Sequence, residues 1–320
     1  MTSIQNSQVT FRKNVILPSM PSDIKGLNKL PKIEMPKGEI IDSNLIFKNQ
    51  ANDFTKALEL GFFLVKIPSE IDLSPGDRFA KNFFKPKDGN TNLDQYRGYK
   101  EVDLGQPYQG YFDREFDQWE NFYIESSNWQ KYLTPPLVLL GNQMTDLGIT
   151  ILRNVLKYLQ IPEQIWTKVT SGLSDKKGHH MLAFNHFRSN KAVRGTKFHR
   201  DSGWVTVLRS WEPGLVALIN DKIYAIDPVD KYFIINFGSS IEVLTGALNT
   251  PARGNIHGVL RTIRKDTEED RYSYVVFLDS NLSGKIYQLD TKMNPQFLQT
   301  VADFAVQEVS RTYDDDNFQL

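Results

Sequence analysis

The sequence predicts a mainly β protein with flanking helices, and three observations carry that reading. From Met181 onward the chain breaks into short β-type runs: Met181 to Phe187, Val205 to Leu208, Leu215 to Ile219, Ile223 to Ile226, Tyr232 to Phe237, Ile256 to Ile263 and Tyr272 to Leu278. Turn clusters divide them, among them Glu212-Pro213-Gly214, Asn220-Asp221, Asp227-Pro228 and Gly238-Ser239-Ser240. Helical periodicity is confined to the stretches before and after. Many short strands at this spacing read as an antiparallel sandwich or barrel.

Taken in order, residues 1–40 carry Pro18, Pro21, Pro31 and Pro36 and read as an extended arm. Asn44 to Leu60 places Leu45, Phe47, Ala51, Phe54, Ala57 and Leu58 at helical spacing, and Gly61 stops it. Phe62 to Ile67 is an apolar strand ended by Pro68, and a short helix is expected around Gly76 to Phe84. Residues 85–135 are irregular and dense in aromatics, from Tyr96 and Tyr99 to Trp119 and Trp129. A loop this long is functional or disordered, and its aromatic content argues against disorder. Most of these rings are expected to staple the loop to the core, with some at a pocket mouth. Pro136 to Leu159 steps Leu137, Leu140, Met144, Leu147, Ile151 and Val155 along one amphipathic face, and Pro162 opens a further short helix. The tail from Asn294 to Thr312 returns to helical spacing with Phe297, Leu298, Val301, Phe304, Ala305 and Val309, before the solvated Asp314-Asp315-Asp316. The expected organisation is one structural domain: arm 1–40, a mixed helical region 41–175 covering the core, a β core 176–290, and a C-terminal helix with acidic tail 291–320.

The 320 residues contain 38 Lys plus Arg, 38 Asp plus Glu and no Cys. A balanced charge gives no ground for a nucleic-acid or anionic-membrane partner. Without cysteine there are no disulfides, thiolate nucleophiles or iron–sulfur clusters, so a metal must be held by His, Asp or Glu. No apolar run approaches the ~20 residues of a membrane span. The first twenty residues lack the apolar block of a secretory signal, and Arg12 and Lys13 are few for a transit peptide. The expectation is a cytoplasmic protein acting on a small molecule, with no obligate protein partner.

The chemistry concentrates in His199-Arg200-Asp201, His257 and Arg271-Tyr272-Ser273. In a strand, residues i and i+2 share a face about 6.6 Å apart, so His199 and Asp201 can chelate one ion. Gly254-Asn255-Ile256-His257 opens another strand and brings a second imidazole. Two histidines and one carboxylate form the facial set that holds non-heme Fe(II) with positions left open. Arg271 and Ser273 offer a guanidinium fork and a hydroxyl, a pair suited to a carboxylate. The other histidines, His179, His180 and His186, read as satisfied polar groups. Arg188, Lys191, Arg194, Lys197, Arg200 and Arg253 crowd the approach to these strands. Most read as solvated surface; Arg194, Lys197 and Arg253 are the candidates for binding a substrate carboxylate.

Residues 45–280 resemble the isopenicillin N synthase-like branch of the Fe(II)/2-oxoglutarate dioxygenases. The pattern is His-x-Asp, a later His, then Arg-x-Ser. Leu60-Gly61-Phe62-Phe63, Phe83-Phe84-Lys85-Pro86, Gly98-Tyr99, Trp119-Glu120, Asn128-Trp129 and Asn236-Phe237-Gly238 resemble further segments. The resemblance implies a distorted double-stranded β-helix, or jelly roll. It implies that His199, Asp201 and His257 ligate iron, that Arg271 and Ser273 hold the distal carboxylate of 2-oxoglutarate, and that Asn185 approaches its oxoacid end. O2 is then the second co-substrate, succinate and CO2 are released, and a C–H bond of a carboxylate-bearing, amino-acid-derived metabolite is oxidised by hydroxylation, desaturation or ring closure. Phe187 departs from the tyrosine often found there, and Ser239 from the aspartate of the Gly-Asp turn. Asp201 is retained, which argues against halogenation. Two alternatives stand beside this reading: an iron oxidase of the same fold that uses Arg271 and Ser273 for its substrate instead of 2-oxoglutarate, and a non-enzymatic jelly-roll binding protein.

Overall fold

In the computed structural model, which describes Met20 and residues 30–265 and 268–312, two sheets face each other with helices on the outside of the larger one. Most of the expected N-terminal arm, the acidic tail, and the Val309 side chain lie outside the described residues. The chain begins with a hairpin, β1 (Lys37–Ile41) and β2 (Asn44–Phe47), followed by α1 (Gln50–Leu60). The helix expected from Asn44 thus starts at Gln50. Leu45 and Phe47 are buried because a strand also places i and i+2 on one face, a spacing that short windows do not separate from a helical one. Gly61 ends α1 in the left-handed region (φ 78°), and a Cβ there would meet the Arg253 carbonyl oxygen at 2.6 Å. That turn feeds β3 (Phe62–Lys66) directly into the large sheet.

Next come α2 (Ser74–Ala80), α3 (Thr91–Asp94), β4 (Gly110–Asp113), β5 (Trp119–Glu125) and α4 (Ser126–Tyr132). The stretch expected to be irregular therefore contains two members of the large sheet, β4 and β5. Six of the seven residues of β5 are buried, so the polar-out alternation that marks a half-exposed strand is missing. After α5 (Pro135–Tyr158) and α6 (Trp166–Val169) follow β6 (His179–Phe187), β7 (Thr196–His199), β8 (Val205–Ser210), β9 (Leu215–Ile219), β10 (Lys222–Ala225) and β11 (Tyr232–Phe237). Then come α7 (Ser239–Thr245), β12 (Ile256–Val259), β13 (Arg271–Asp279), β14 (Lys285–Leu289), β15 (Pro295–Thr300) and α8 (Val301–Thr312). The tail expected to be one helix from Asn294 starts as β15, pairing with β14. Phe297, placed on the apolar helix face by its spacing, is 55% exposed.

The large sheet runs β2-β1-β3-β11-β8-β13-β6-β5-β4, and the small one β10-β9-β12-β7. This is the jelly-roll architecture expected from the short strands. The outer face of the large sheet is covered by α1, α2 and α5 through one apolar cluster that includes Leu147, Ile151, Phe184 and Tyr274. Each fully buried Leu, Ile or Phe there stabilises the fold by roughly 1.5–3 kcal/mol. Between the sheets a second cluster joins Phe62, Ala183, Ile234 and Val275 of the large sheet to Leu215, Ala217 and Val259 of the small one. Met20 packs with Phe198, Val216 and Leu260 in a third cluster that includes β7 and β9. The strand that organises the interior is β13. It pairs with β6 along its whole length, from Arg271 opposite Phe187 to Asp279 opposite His179, and with β8 on its other side.

Candidate metal centre and its cavity

His199 closes β7 and His257 stands in β12, and the two are direct cross-strand partners. Their rings lie 4.5 Å apart. Asp201 is not in the strand as the i, i+2 argument assumed; it lies two residues past the end of β7, in the turn leading to β8. Its Oδ1 nevertheless comes within 3.9 Å of His199 Nε2 and 3.7 Å of His257 Nε2. The three donors all lie within 4.8 Å of one another.

The surroundings set which atoms point inward. His199 Nδ1 donates to the Lys197 carbonyl at 3.0 Å and His257 Nδ1 to the Asn255 carbonyl at 3.3 Å, which leaves both Nε2 lone pairs toward the centre. Thr206 Oγ1 donates to Asp201 Oδ2 at 2.6 Å, turning Oδ1 to the histidines. Burial, followed by the neighbouring His257, pushes His199 down to about 4, so its imidazole is neutral at physiological pH, the form that binds a metal. The Asp201 turn is pinned from below: Ser239 N donates to the Asp201 carbonyl at 2.8 Å, and Gly238 packs on Gly203 so closely that a Cβ would stand 2.3 Å from the Gly203 oxygen. Ser239, which replaces an acidic residue in the resembled turn, also hydrogen-bonds Glu308 of α8.

A cavity of about 480 Å³ opens between the sheets from these three side chains and ends at Arg271. Arg271 is 1% exposed. Its Nε donates to the Pro213 carbonyl at 3.1 Å and one Nη to Ser210 Oγ at 3.2 Å, while Nη1 is buried with no partner. Burial lowers the guanidinium to about 10, which leaves it charged at neutral pH. A buried, unanswered guanidinium nitrogen at a cavity wall costs free energy that an anionic ligand would recover. Ser273 and Asn185 line the same wall, with Asn185 Nδ2 donating to Ser273 Oγ at 3.2 Å and Trp119 Nε1 donating to Asn185 Oδ1 at 2.8 Å. Phe187, where a tyrosine is often found, gives Arg271 a ring face at 4.5 Å.

A second space of about 920 Å³ shares His199, Asp201, Trp119 and Phe277 with the first and runs the other way. Tyr123, Met181 and Phe277 form its sides, and Phe304 and Ala305 of α8 its far wall. The polar side chains include Arg200, His179 and Asp279. Burial pushes the Asp279 carboxyl up to about 6. Sequence reading missed Thr206 and took His179 as merely satisfied, while Trp119 and Tyr123 belong to the aromatic stretch from which some rings were expected at a pocket mouth. What the sequence did not single out is their shared strand face: in β5, Trp119, Asn121 and Tyr123 point one way, hidden because Phe122 and Ile124 bury the other. Of the expected substrate-binding residues, Arg194 pairs with Asp117 at 2.6 Å and Arg253 lines a separate groove with Glu59 and Glu242. Neither they nor Lys197 line the two spaces at the metal centre.

Residues 178–280 match the sequence profile of the 2OG-Fe(II) oxygenase superfamily. No curated protein sequence matches the chain. Among solved structures, a dioxygenase for auxin oxidation from rice superposes with a TM-score of 0.65 at 17% identity, covering 87% of this chain and 96% of that one. A full-length Neurospora crassa protein in complex with alpha-KG and thymine gives 0.61 at 14%, over 84% and 98%. JOX2, solved with 2OG, Fe and JA, gives 0.64 at 18%, over 94% and 96%. At these identities the structures establish the shared fold. With the profile match over the strands that carry His199, His257 and Arg271, the chain holds a 2OG-Fe(II) oxygenase domain, and the enzyme is a non-heme dioxygenase that uses Fe(II) and 2-oxoglutarate.

Proposed function

We propose that His199, Asp201 and His257 ligate the iron and that Arg271, with Ser273 and Asn185, receives 2-oxoglutarate. In this reading the cavity on the α8 side takes a small, amino-acid-derived acid whose C–H bond is oxidised. The observation that carries the assignment is the partnerless Nη1 of Arg271 in the same cavity as the triad. A five-carbon dicarboxylate reaching from the metal donors toward Arg271 gives that nitrogen its missing acceptor, with the Ser273 hydroxyl beside it. The N-terminal order of helix, Gly61 and Phe62-Phe63 strand supports placement in the isopenicillin N synthase-like branch.

When bound, iron and 2-oxoglutarate supply the oxidising power from O2, with succinate and CO2 released. The protein's own residues position and shield. The two histidines present Nε2 atoms fixed by backbone carbonyls, and Thr206 holds Asp201 in a single orientation. Trp119, whose indole lies 17° from parallel to the His199 ring, forms a wall common to both spaces with Phe277. These rings would exclude water from the place where the substrate carbon comes up to the three donors. Arg200 is the guanidinium in the substrate-side wall and is assigned to a substrate carboxylate. The site suits hydroxylation, desaturation or oxidative ring closure alike.

The test is a panel of amino-acid-derived acids screened for substrate-stimulated release of succinate from 2-oxoglutarate, with products read by mass. Stimulation by a panel member that disappears in Asp201→Ala supports the reading. Iron-dependent oxidation that proceeds without 2-oxoglutarate would overturn it.

A further inference from the structure

Alternate residues of β13 line the whole interior: Arg271, Ser273 and Val275, then Phe277 and Asp279. At about 3.3 Å per residue, Asp279 stands roughly 26 Å along the strand from Arg271, on the same face. His199 and Asp201 line both spaces and lie between their ends. The cavity therefore has ends of opposite charge, a guanidinium at one and a carboxylate at the other. The cross-strand partner of Asp279 is His179, whose Nδ1 lies 3.0 Å from Glu125 Oε1, so the same end holds a second carboxylate behind an imidazole.

We propose that Asp279, backed by the His179–Glu125 pair, receives an ammonium group of the substrate, and that the substrates are accordingly amines. This rests on the reading of the α8-side space as the substrate site. Ser202 Oγ donates to Asp279 Oδ1 at 3.1 Å, and Oδ2 has no hydrogen-bond partner among the described residues. The carboxylate is thus held in orientation while one oxygen stays available at the cavity wall. Aromatic faces stand close by, with the Tyr123 and Phe277 rings stacked at 6.3 Å, and such faces attract a cation. Arg200, in the same space and 3.9 Å from the Glu242 carboxylate, is the group assigned above to the substrate's carboxylate, so the ammonium is placed at the Asp279 end of the same substrate. A negatively charged, ring-lined end favours an ammonium over a neutral group of equal size, because a charge-assisted hydrogen bond in a desolvated site exceeds a neutral one.

The test is anaerobic calorimetric titration of phenethylammonium and of 2-phenylethanol, which differ only in the terminal group, into the full-length protein loaded with Fe(II) and 2-oxoglutarate. The proposal expects the ammonium to bind about tenfold or more tighter than the alcohol. In Asp279→Asn, which keeps an acceptor for Ser202, the two should bind within about twofold of each other, and 2-oxoglutarate affinity should match wild type. Equal affinity in wild type, or a preference that survives in Asp279→Asn, overturns the proposal. Asp279→Ser gives the same reading if the asparagine variant does not fold. Failure of 2-oxoglutarate to bind wild type would count against the functional reading instead, and the ammonium preference would then be read in the metal-free protein.

Discussion

At the scale of single residues, the centre depends on atoms that hold the donors as much as on the donors. Thr206 is one. Replacing it by valine removes the hydrogen bond to Asp201 Oδ2 while keeping shape, and should weaken iron binding by about tenfold to a hundredfold with little change in melting temperature. Titration of Fe(II) under anaerobic conditions checks this; unchanged affinity would mean that Asp201 is oriented otherwise. Gly238 is another. A methyl group there would press on the Gly203 oxygen at 2.3 Å and the Asp201 oxygen at 2.9 Å, so Gly238→Ala should displace the Asp201 turn and lower both iron loading and thermal stability. Melting curves with and without Fe(II) would show the metal-induced stabilisation shrink. The donor set itself was legible in the sequence because His-x-Asp, His and Arg-x-Ser are separated by strand-forming runs. Thr206 and Asp279 were not, because nothing in the chain says that the turn after His199 folds toward β8 or that the far end of the run from Tyr272 to Leu278 reaches the same interior as the His199 turn.

At the scale of elements, β5 and β6 are tied by a buried ionic network on the face away from the cavity. His186 Nδ1 lies 2.7 Å from Glu120 and its Nε2 2.8 Å from Asp270, and the ring stacks on Phe84 at 3.9 Å. Lys100 and Tyr111 also reach Glu120. Burial alone would raise the Glu120 carboxyl, but the hydrogen bonds from His186 and Tyr111 outweigh it and hold the group at about 2. A folded-state pKa below the unfolded one gives stability that is present above the ordinary carboxyl range and is lost as pH falls from about 4.5 through about 2. The contribution is on the order of 3 kcal/mol. Glu120→Gln should therefore lower the melting temperature at pH 7 and flatten its decline between pH 5 and about 2. Equal slopes in the two proteins would show that the network does not carry acid stability. Sequence periodicity failed on β5 for the same reason that the network exists there: polar residues inside a doubly buried strand break the apolar run, and only their partners explain them. In the tail, β15 was hidden because its strand face is half exposed, so apolar residues at three- and four-residue spacing mimicked a helix.

At the scale of the whole molecule, one strand joins the two halves of the chemistry. The end of β13 nearest its N-terminus carries the proposed co-substrate clamp, the far end faces α8 and the proposed substrate space, and the proposed metal donors enter from β7, β12 and the turn between β7 and β8. That arrangement was readable as a fold class from the rhythm of short strands, while the two-ended cavity appears only when β6 and β13 are set in register. Of the Arg/Lys residues around His199, Arg194 pairs with Asp117 and Arg200 lines the α8-side space, which is walled by aromatic residues of β5 and β13. The central claim is that the same cavity holds the metal and a 2-oxoglutarate anchored by Arg271. It is tested most directly by anaerobic calorimetric titration of 2-oxoglutarate into Fe(II)-loaded wild type and Arg271→Ala. Loss of the guanidinium should weaken binding at least tenfold while iron content stays at the wild-type level. Equal 2-oxoglutarate affinity in the two proteins would contradict it.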